Sequence, residues 1–197
     1  MSSLRLRAAV PGDADRVALL HADSWRRHYR GAYADSYLDG DVVGERRAVW
    51  SSRLAEPVPT GSLTIVAEDG GPGLVGFVHT VFDADGRWGS LIDNLHVAHD
   101  RQRGGVGAAL LTRAAGAVAE RAVGNAMYLW VLEQNTAAQR FYRALGGARV
   151  ETAAVPAPGG VPGRLNGSPG CLRIAWADVR RLPAADRTGA SALAQPQ

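Results

Sequence analysis

Residues 100–115 read DRQRGGVGAALLTRAA, two arginines and three glycines set directly before a run of good helix formers. From Val106 onward, Ala109, Leu110, Arg113, Ala114 and Ala117 recur at helical spacing and predict a helix to about Arg121 with one mostly apolar face. The preceding residues 88–97, WGSLIDNLHV, read as a strand. In a strand–glycine turn–helix unit, backbone N–H groups and the helix dipole converge on an anion, and glycines let the backbone approach it without a Cβ in the way. A ligand-free turn could have the same local sequence, so the rest of the chain must decide. Two nucleotide motifs fail at once. The dinucleotide fingerprint needs a third glycine where Leu110 stands, and the P-loop needs a lysine that this chain nowhere contains. What remains is Gln102-Arg103-Gly104-Gly105-Val106-Gly107, a Q-x-x-G-x-G pattern after a strand.

Outward from that stretch the chain reads as one domain over residues 1–183, with 184–197 expected to be a disordered tail. Its 197 residues, 46% hydrophobic and 21% charged, suit a globular body. The 22 basic residues are all arginine and are scattered among 19 acidic ones, so the net charge of +3 does not point to nucleic acid. Cys171 is the single cysteine, which excludes an intramolecular disulfide and a multi-cysteine metal site, and no metal is expected. Without an apolar leader at MSSLRLRAAV or a run of ~20 apolar residues, the expectation is a cytoplasmic protein without membrane partners, monomeric or homodimeric.

Toward the N-terminus, LRLRAAV alternates like a strand. Asp13 then offers a helix cap before a helix to about Tyr29, and a second helical stretch covers roughly 36–54. SLTIVAE and LVGFVHTVF, divided by DGGPG, read as a hairpin, and residues 88–97 add a third strand. Toward the C-terminus, AMYLWVL reads as a buried strand. Asn135 can cap a short helix carrying Phe141 and Tyr142, stopped by Gly146 and Gly147. ARVETAAV and CLRIAW look like two last strands around a Pro/Gly-rich loop.

The Q-x-x-G-x-G stretch resembles the acyl-CoA signature of the GNAT acetyltransferase superfamily. Residues 129–147, LWVLEQNTAAQRFYRALGG, resemble that family's second signature, and the opening 7–31, RAAVPGDADRVALLHADSWRRHYRG, resembles its first strand and helices. The resemblance covers about residues 4–176. It implies an α/β (α+β) fold with a mixed, mostly antiparallel sheet of about six to seven strands, flanked by about four helices and split by a CoA cleft. It also implies transfer of an acetyl group from acetyl-CoA, as cosubstrate, to a primary amine of a small molecule or peptide by direct attack. A non-catalytic CoA-binding regulatory module is the alternative.

Residue by residue, the resemblance implies that Gln102, Arg103, Gly104, Gly105, Val106, Gly107 and Ala108 wrap the pyrophosphate. The Leu95 amide would polarise the thioester carbonyl, with His96 and Val97 along the pantetheine arm. Leu95 and Val97 also serve as core strand residues, since only their backbones are needed. Asn135 and Ala138 would meet the cofactor arm, although Asn135 could cap its helix and nothing more. Tyr142 would protonate the leaving thiolate while the adjacent Phe141, about 100° round the helix, fills the core. Many members carry a base at the position aligned with Leu91. Asp93, two residues on and on the same strand face, is the substitute candidate, with Glu133, His79 and His96 as competitors. Trp25, Tyr29, Tyr33 and Glu133 are expected toward the acceptor, where the loop Pro156 to Gly170 could also shape the pocket. The acceptor itself is not readable.

Overall fold

In a computed structural model that describes residues 4–55, 60–71 and 73–183, the chain is arranged about the junction at Arg103–Gly105. The order is β1 (Arg5–Ala8), α1 (Ala14–His28), α2 (Asp35–Leu38), α3 (Val42–Arg53), β2 (Ser62–Glu68), β3 (Gly76–Asp85) and β4 (Gly89–Val97). There follow α4 (Val106–Arg121), β5 (Met127–Leu132), α5 (Thr136–Ala144), β6 (Ala148–Ala154) and β7 (Gly170–Trp176). The strands form one sheet in the order β1-β2-β3-β4-β5-β7-β6, antiparallel throughout except between β4 and β5. This is the mixed, mostly antiparallel sheet expected from the sequence. The tail expected at 184–197 lies outside the described residues.

Two local expectations are corrected. The stretch 36–54 is two helices and not one, because the Asp41 carboxylate accepts the Gly44 N–H at 2.9 Å and starts α3 afresh after Gly40. This raises the α-helices among the described residues to five. Asp13 does not cap α1. Its carboxylate turns back to accept the Val10 N–H at 2.9 Å and pairs with Arg7 at 2.6 Å, because two arginines outcompete a helix terminus for a buried acid.

The sheet is covered on both faces. On one, Leu110, Leu111 and Val118 of α4 are fully buried against Val78, Leu129 and Ile174, each side chain contributing about 1.5–3 kcal/mol of apolar burial. On the other, Val17 and Ala18 of α1 and Trp50 of α3 pack on Val66 and Phe77. The one parallel strand pair of this sheet, among the described residues, is short. β4 and β5 meet through Ser90–Met127 and Leu91–Tyr128, and beyond Leu91 they part.

The parting coincides with a β-bulge. On β3, His79 faces Asn94 and Thr80 faces Ile92, which leaves Asp93 as the extra residue. A bulge bends its strand and raises its twist, so β4 leans away from β5 from this point. Side-chain alternation shifts as well. Ile92, Leu95 and Val97 join the core under α4, whereas Asp93 and Asn94 both reach Arg53 on α3. Main-chain direction shifts with it. The Ser90 N–H bonds Ala126 O on the β5 side at 3.0 Å, and the Ala98 N–H bonds Val75 O on the β3 side at 2.9 Å. Counting back from Ala98 by twos sends the N–H groups of His96 and Asn94 toward β3, and those of Val97 and Leu95 into the gap.

Candidate active site

A cavity of about 480 Å³ opens where β4 and β5 part, a size typical of ligand pockets. Its floor is Leu95, His96 and Val97 on one strand and Leu129 to Leu132 on the other. One end is closed by the turn before α4 and the opposite wall by α5.

The turn has an anion-binding shape. Arg103 (φ 62°) and Gly105 (φ 81°) both lie in the left-handed region, and Gly105 occupies the N-cap position of α4 with no side-chain cap and no acid in the first turn. The first amides of α4 therefore have no side-chain acceptor, and the positive end of the helix dipole faces the cavity. At Gly105 a side chain would meet nothing but would carry the strain of positive φ. Gly107 is constrained differently. A Cβ there would lie 3.3 Å from Phe141 Cζ and 3.6 Å from Val97 Cγ2, so the Phe141 ring would have to yield by a few tenths of an ångström for any side chain at this position.

Of the cofactor residues expected from the sequence, Leu95, His96, Val97, Gln102, Arg103, Gly105, Gly107, Ala108, Asn135, Ala138 and Tyr142 all line this one cavity. Gly104 and Val106 do not: Gly104 is exposed, and Val106 turns its side chain into the core because it begins the apolar face of α4. Asn135 caps α5, its Oδ1 accepting the Ala138 N–H at 3.0 Å, so only its amide nitrogen is left to face a ligand. Tyr142 faces the cavity as expected, and Phe141, which packs against the core as expected, is half-buried and lines the cavity as well. Burial raises the Tyr142 pKa far above that of a free phenol, which keeps the hydroxyl protonated and able to donate.

Asp93 lines the cavity from the bulge, its Oδ2 2.7 Å from Arg53 Nη1, and the same guanidinium donates to Asn94 Oδ1 at 2.9 Å. The competing candidates lie elsewhere or are committed. His79 is sealed in the core with Nδ1 2.8 Å from Thr64 Oγ1, and burial lowers its pKa to about 4. His96 sits 2.7 Å from Ser24 Oγ through Nδ1 and 4.7 Å from the His21 ring, with burial lowering its pKa to about 3. Glu133 faces a separate recess of about 290 Å³ that also takes in Gly31, Asn166 and Ser168, so the loop 156–170 does border a pocket beside the main one.

The three aromatic residues expected near the acceptor form one cluster. Trp25 lies 5.5 Å from Tyr29 and 5.3 Å from Tyr33, centroid to centroid. Only Tyr29 reaches the cavity wall, and burial, then the Asp93 charge, pushes its pKa up to about 12. Ser24, His28, Asn94 and Trp130 also line the cavity without having been singled out for it. Ser24 and His28, four residues apart on a helix face otherwise carrying Val17 and Leu20, were a readable signal.

Comparison with known proteins agrees with this geometry. Residues 22–146 match the Acetyltransferase (GNAT) family. A protein of Mycobacterium tuberculosis named as a probable N-acetyltransferase is 33% identical over 144 residues, 72% of this chain and 78% of that one. An uncharacterized N-acetyltransferase of Bacillus subtilis is 30% identical over 148 residues, 74% and 80% of the two chains. Among solved structures, the PaiA N-acetyltransferase of Thermoplasma acidophilum in complex with coenzyme A superposes with a TM-score of 0.66 at 18% identity, covering 87% of this chain and 98% of that one. A probable acetyltransferase of Staphylococcus epidermidis gives 0.67 at 13% identity, covering 89% and 99%.

Proposed function

The chain belongs to the GNAT acetyltransferase family, and on that premise we propose that it moves an acetyl group from acetyl-CoA to a primary amine by direct attack. One observation carries the reading: the parted strands, the left-handed glycine turn and the aromatic pair of α5 all open into a single cavity. A helix N-terminus free of acids and of side-chain caps suits a pyrophosphate, which would be held by the amides of residues 103–108. The Val97 amide would pair with the pantetheine arm, and the Asn135 amide nitrogen would add a donor.

The chemistry asks for three things. Negative charge develops on the thioester oxygen as the amine attacks, and the Leu95 N–H, which points into the gap, would be the donor that meets it. The amine must lose a proton. Asp93 on the bulge would take it, directly or through water, while Arg53 holds that carboxylate in place. The C–S bond then breaks and the departing thiolate needs a proton, which the Tyr142 hydroxyl, kept protonated by burial, would supply.

Calorimetry with acetyl-CoA, run beside a screen of amine acceptors for CoA release, tests the reading. Micromolar binding with a raised melting temperature and CoA release for at least one amine are expected. Neither heat nor thermal shift at saturation would overturn acetyl-CoA as the donor. Binding without turnover of any amine would favour a CoA-binding module.

A further inference from the structure

His28, the last residue of α1, is half-buried and lines the cavity. Its Nε2 lies 3.3 Å from the amide Nε2 of Gln102, the residue that opens the glycine turn and lines the same cavity. α1 and α4 cover opposite faces of the sheet, so the contact ties the α1 side of the cleft to the turn that leads into α4. An amide nitrogen only donates, and the imidazole nitrogen facing it therefore accepts and carries no proton. In this state His28 is neutral, with its proton on Nδ1.

The surroundings of the ring account for that state. Burial, then His99 in the short turn after β4, then Arg27 beside it on α1, lower the His28 pKa. His96 on β4 feels the charge of His28 in turn. Asp23 opposes these influences, but its carboxylate is already 2.9 Å from Arg27 Nε. Asp100 and Asp69 are likewise held by Arg101, at 2.6 and 2.7 Å. An ionisable ring thus stands at the turn end of the cavity beside a histidine and an arginine, while the carboxylates of Asp23, Asp69 and Asp100 are taken by arginines. An anion on the uncapped first amides of α4 would reverse the balance, because it brings negative charge where the chain supplies none to this ring.

We propose that His28 is a ligand of the cofactor's diphosphate, taking up a proton as acetyl-CoA binds and closing the glycine turn from the α1 side. This rests on the acetyl-CoA reading above and adds to it a side chain outside the turn. Protonation changes Nε2 from acceptor to donor, so the Gln102 amide must turn its nitrogen away and the ring is released to a diphosphate oxygen as a charge-assisted donor. Binding then raises the His28 pKa. Affinity is greatest below the pKa of His28 in the free protein and is lost as the pH rises through its value in the complex.

Calorimetry in two buffers of unlike ionisation heat counts the protons bound with the ligand. The decisive ligand is acetyl-dephospho-CoA, which keeps the diphosphate but lacks the 3′-phosphate monoester that itself titrates near about pH 6. Wild-type protein should take up part of a proton at about pH 7, and its Kd should rise ~10-fold between about pH 6 and about pH 8, the equivalent of about one pKa unit. His28→Gln should bind without proton uptake and with a nearly flat profile. A readout that needs no variant is the His28 ring resonance in NMR, whose titration should move up by about one unit or more when acetyl-dephospho-CoA saturates. No proton uptake with acetyl-dephospho-CoA, uptake that survives in His28→Gln, or a ring that titrates at the same pH with and without the ligand would overturn the proposal. If acetyl-CoA still binds in those cases, the acetyl-transfer reading stands and the His28 inference alone falls; if acetyl-CoA does not bind, both fall.

Discussion

The two walls of the cavity are made of different material. Toward α4 the wall is main chain: the amides of the glycine turn and the β4 N–H groups of Leu95 and Val97, with side chains mostly turned away into the core. Toward α1 and α3 the wall is side chain: Ser24, His28, Tyr29 and Asp93, backed by Trp25, Arg46 and Arg53. A main-chain wall depends on backbone conformation, so one misplaced Cβ damages it while most side-chain changes leave it intact. A side-chain wall behaves in the opposite way. Its less buried residues, such as His28 and Asp93, can be exchanged with little effect on the fold, and each such exchange alters what is recognised. This contrast fits a fold that holds one donor and varies its acceptor.

The contrast can be broken most forcefully at Gly107. Gly107→Val should weaken acetyl-CoA binding by ~100-fold or more because the new side chain stands at the cavity edge, and should lower the melting temperature modestly because it also presses on Phe141 and Val97, which pack against the core under α4. A folded variant with wild-type affinity would reduce the glycine turn to a loop.

Tyr142→Phe should have the next largest effect, a fall in kcat of ~100-fold at nearly constant acetyl-CoA affinity. General acid catalysis contributes ~10²–10⁴-fold, and a thiolate is already a fair leaving group. Unchanged kcat across the pH range would leave Tyr142 as packing against Trp176, 6.2 Å away between ring centroids.

Asn135 sharpens the boundary between structural and functional roles. Asn135→Ala loses the cap and should cost about 1 kcal/mol of stability. Asn135→Asp keeps the capping oxygen but has no amide N–H, so its melting temperature should stay near wild type while acetyl-CoA affinity drops several-fold. Equal affinity for Asn135→Asp and wild type would confine Asn135 to capping.

The smallest effect belongs to the histidines buried behind the side-chain wall and appears with pH. His79 and His96 are buried with pKa values lowered to about 4 and about 3, below those of the unfolded chain. Between about pH 6.5 and 4 the unfolded state takes up protons that the folded state refuses. Their contribution is complete above about pH 6.5 and is lost as the pH falls through the folded values. The melting temperature should therefore decline steadily from pH 7 to pH 4.5, more shallowly in His79→Asn. A flat profile over that range would mean that the buried imidazoles, His21 included, take up protons in the fold as readily as in the unfolded chain.

Local pattern alone determined much of this protein. The spacing of glycines after a strand, the apolar stripe of α4, the Asn135 cap and the β-branched runs of the meander are short-range facts, written within one or two turns of chain, and each appears in the fold where it was expected. Other features depended on contacts between distant segments. Asp13 looked like a cap until Arg7 and Glu68 drew it into an ion-pair network spanning β1 and β2. The alternation that put Asp93 on the face of Leu91 says nothing of the bulge against β3, or of Arg53 arriving from 40 residues upstream to hold the carboxylate. Nor did any spacing mark the contact of Arg46 with the Trp25 ring, which exists only once α3 is laid across α1. Periodicity and turn chemistry act along the chain, whereas the partners of a charge are chosen by packing, and so the backbone half of the site was legible in advance and the side-chain half was decided by the tertiary structure.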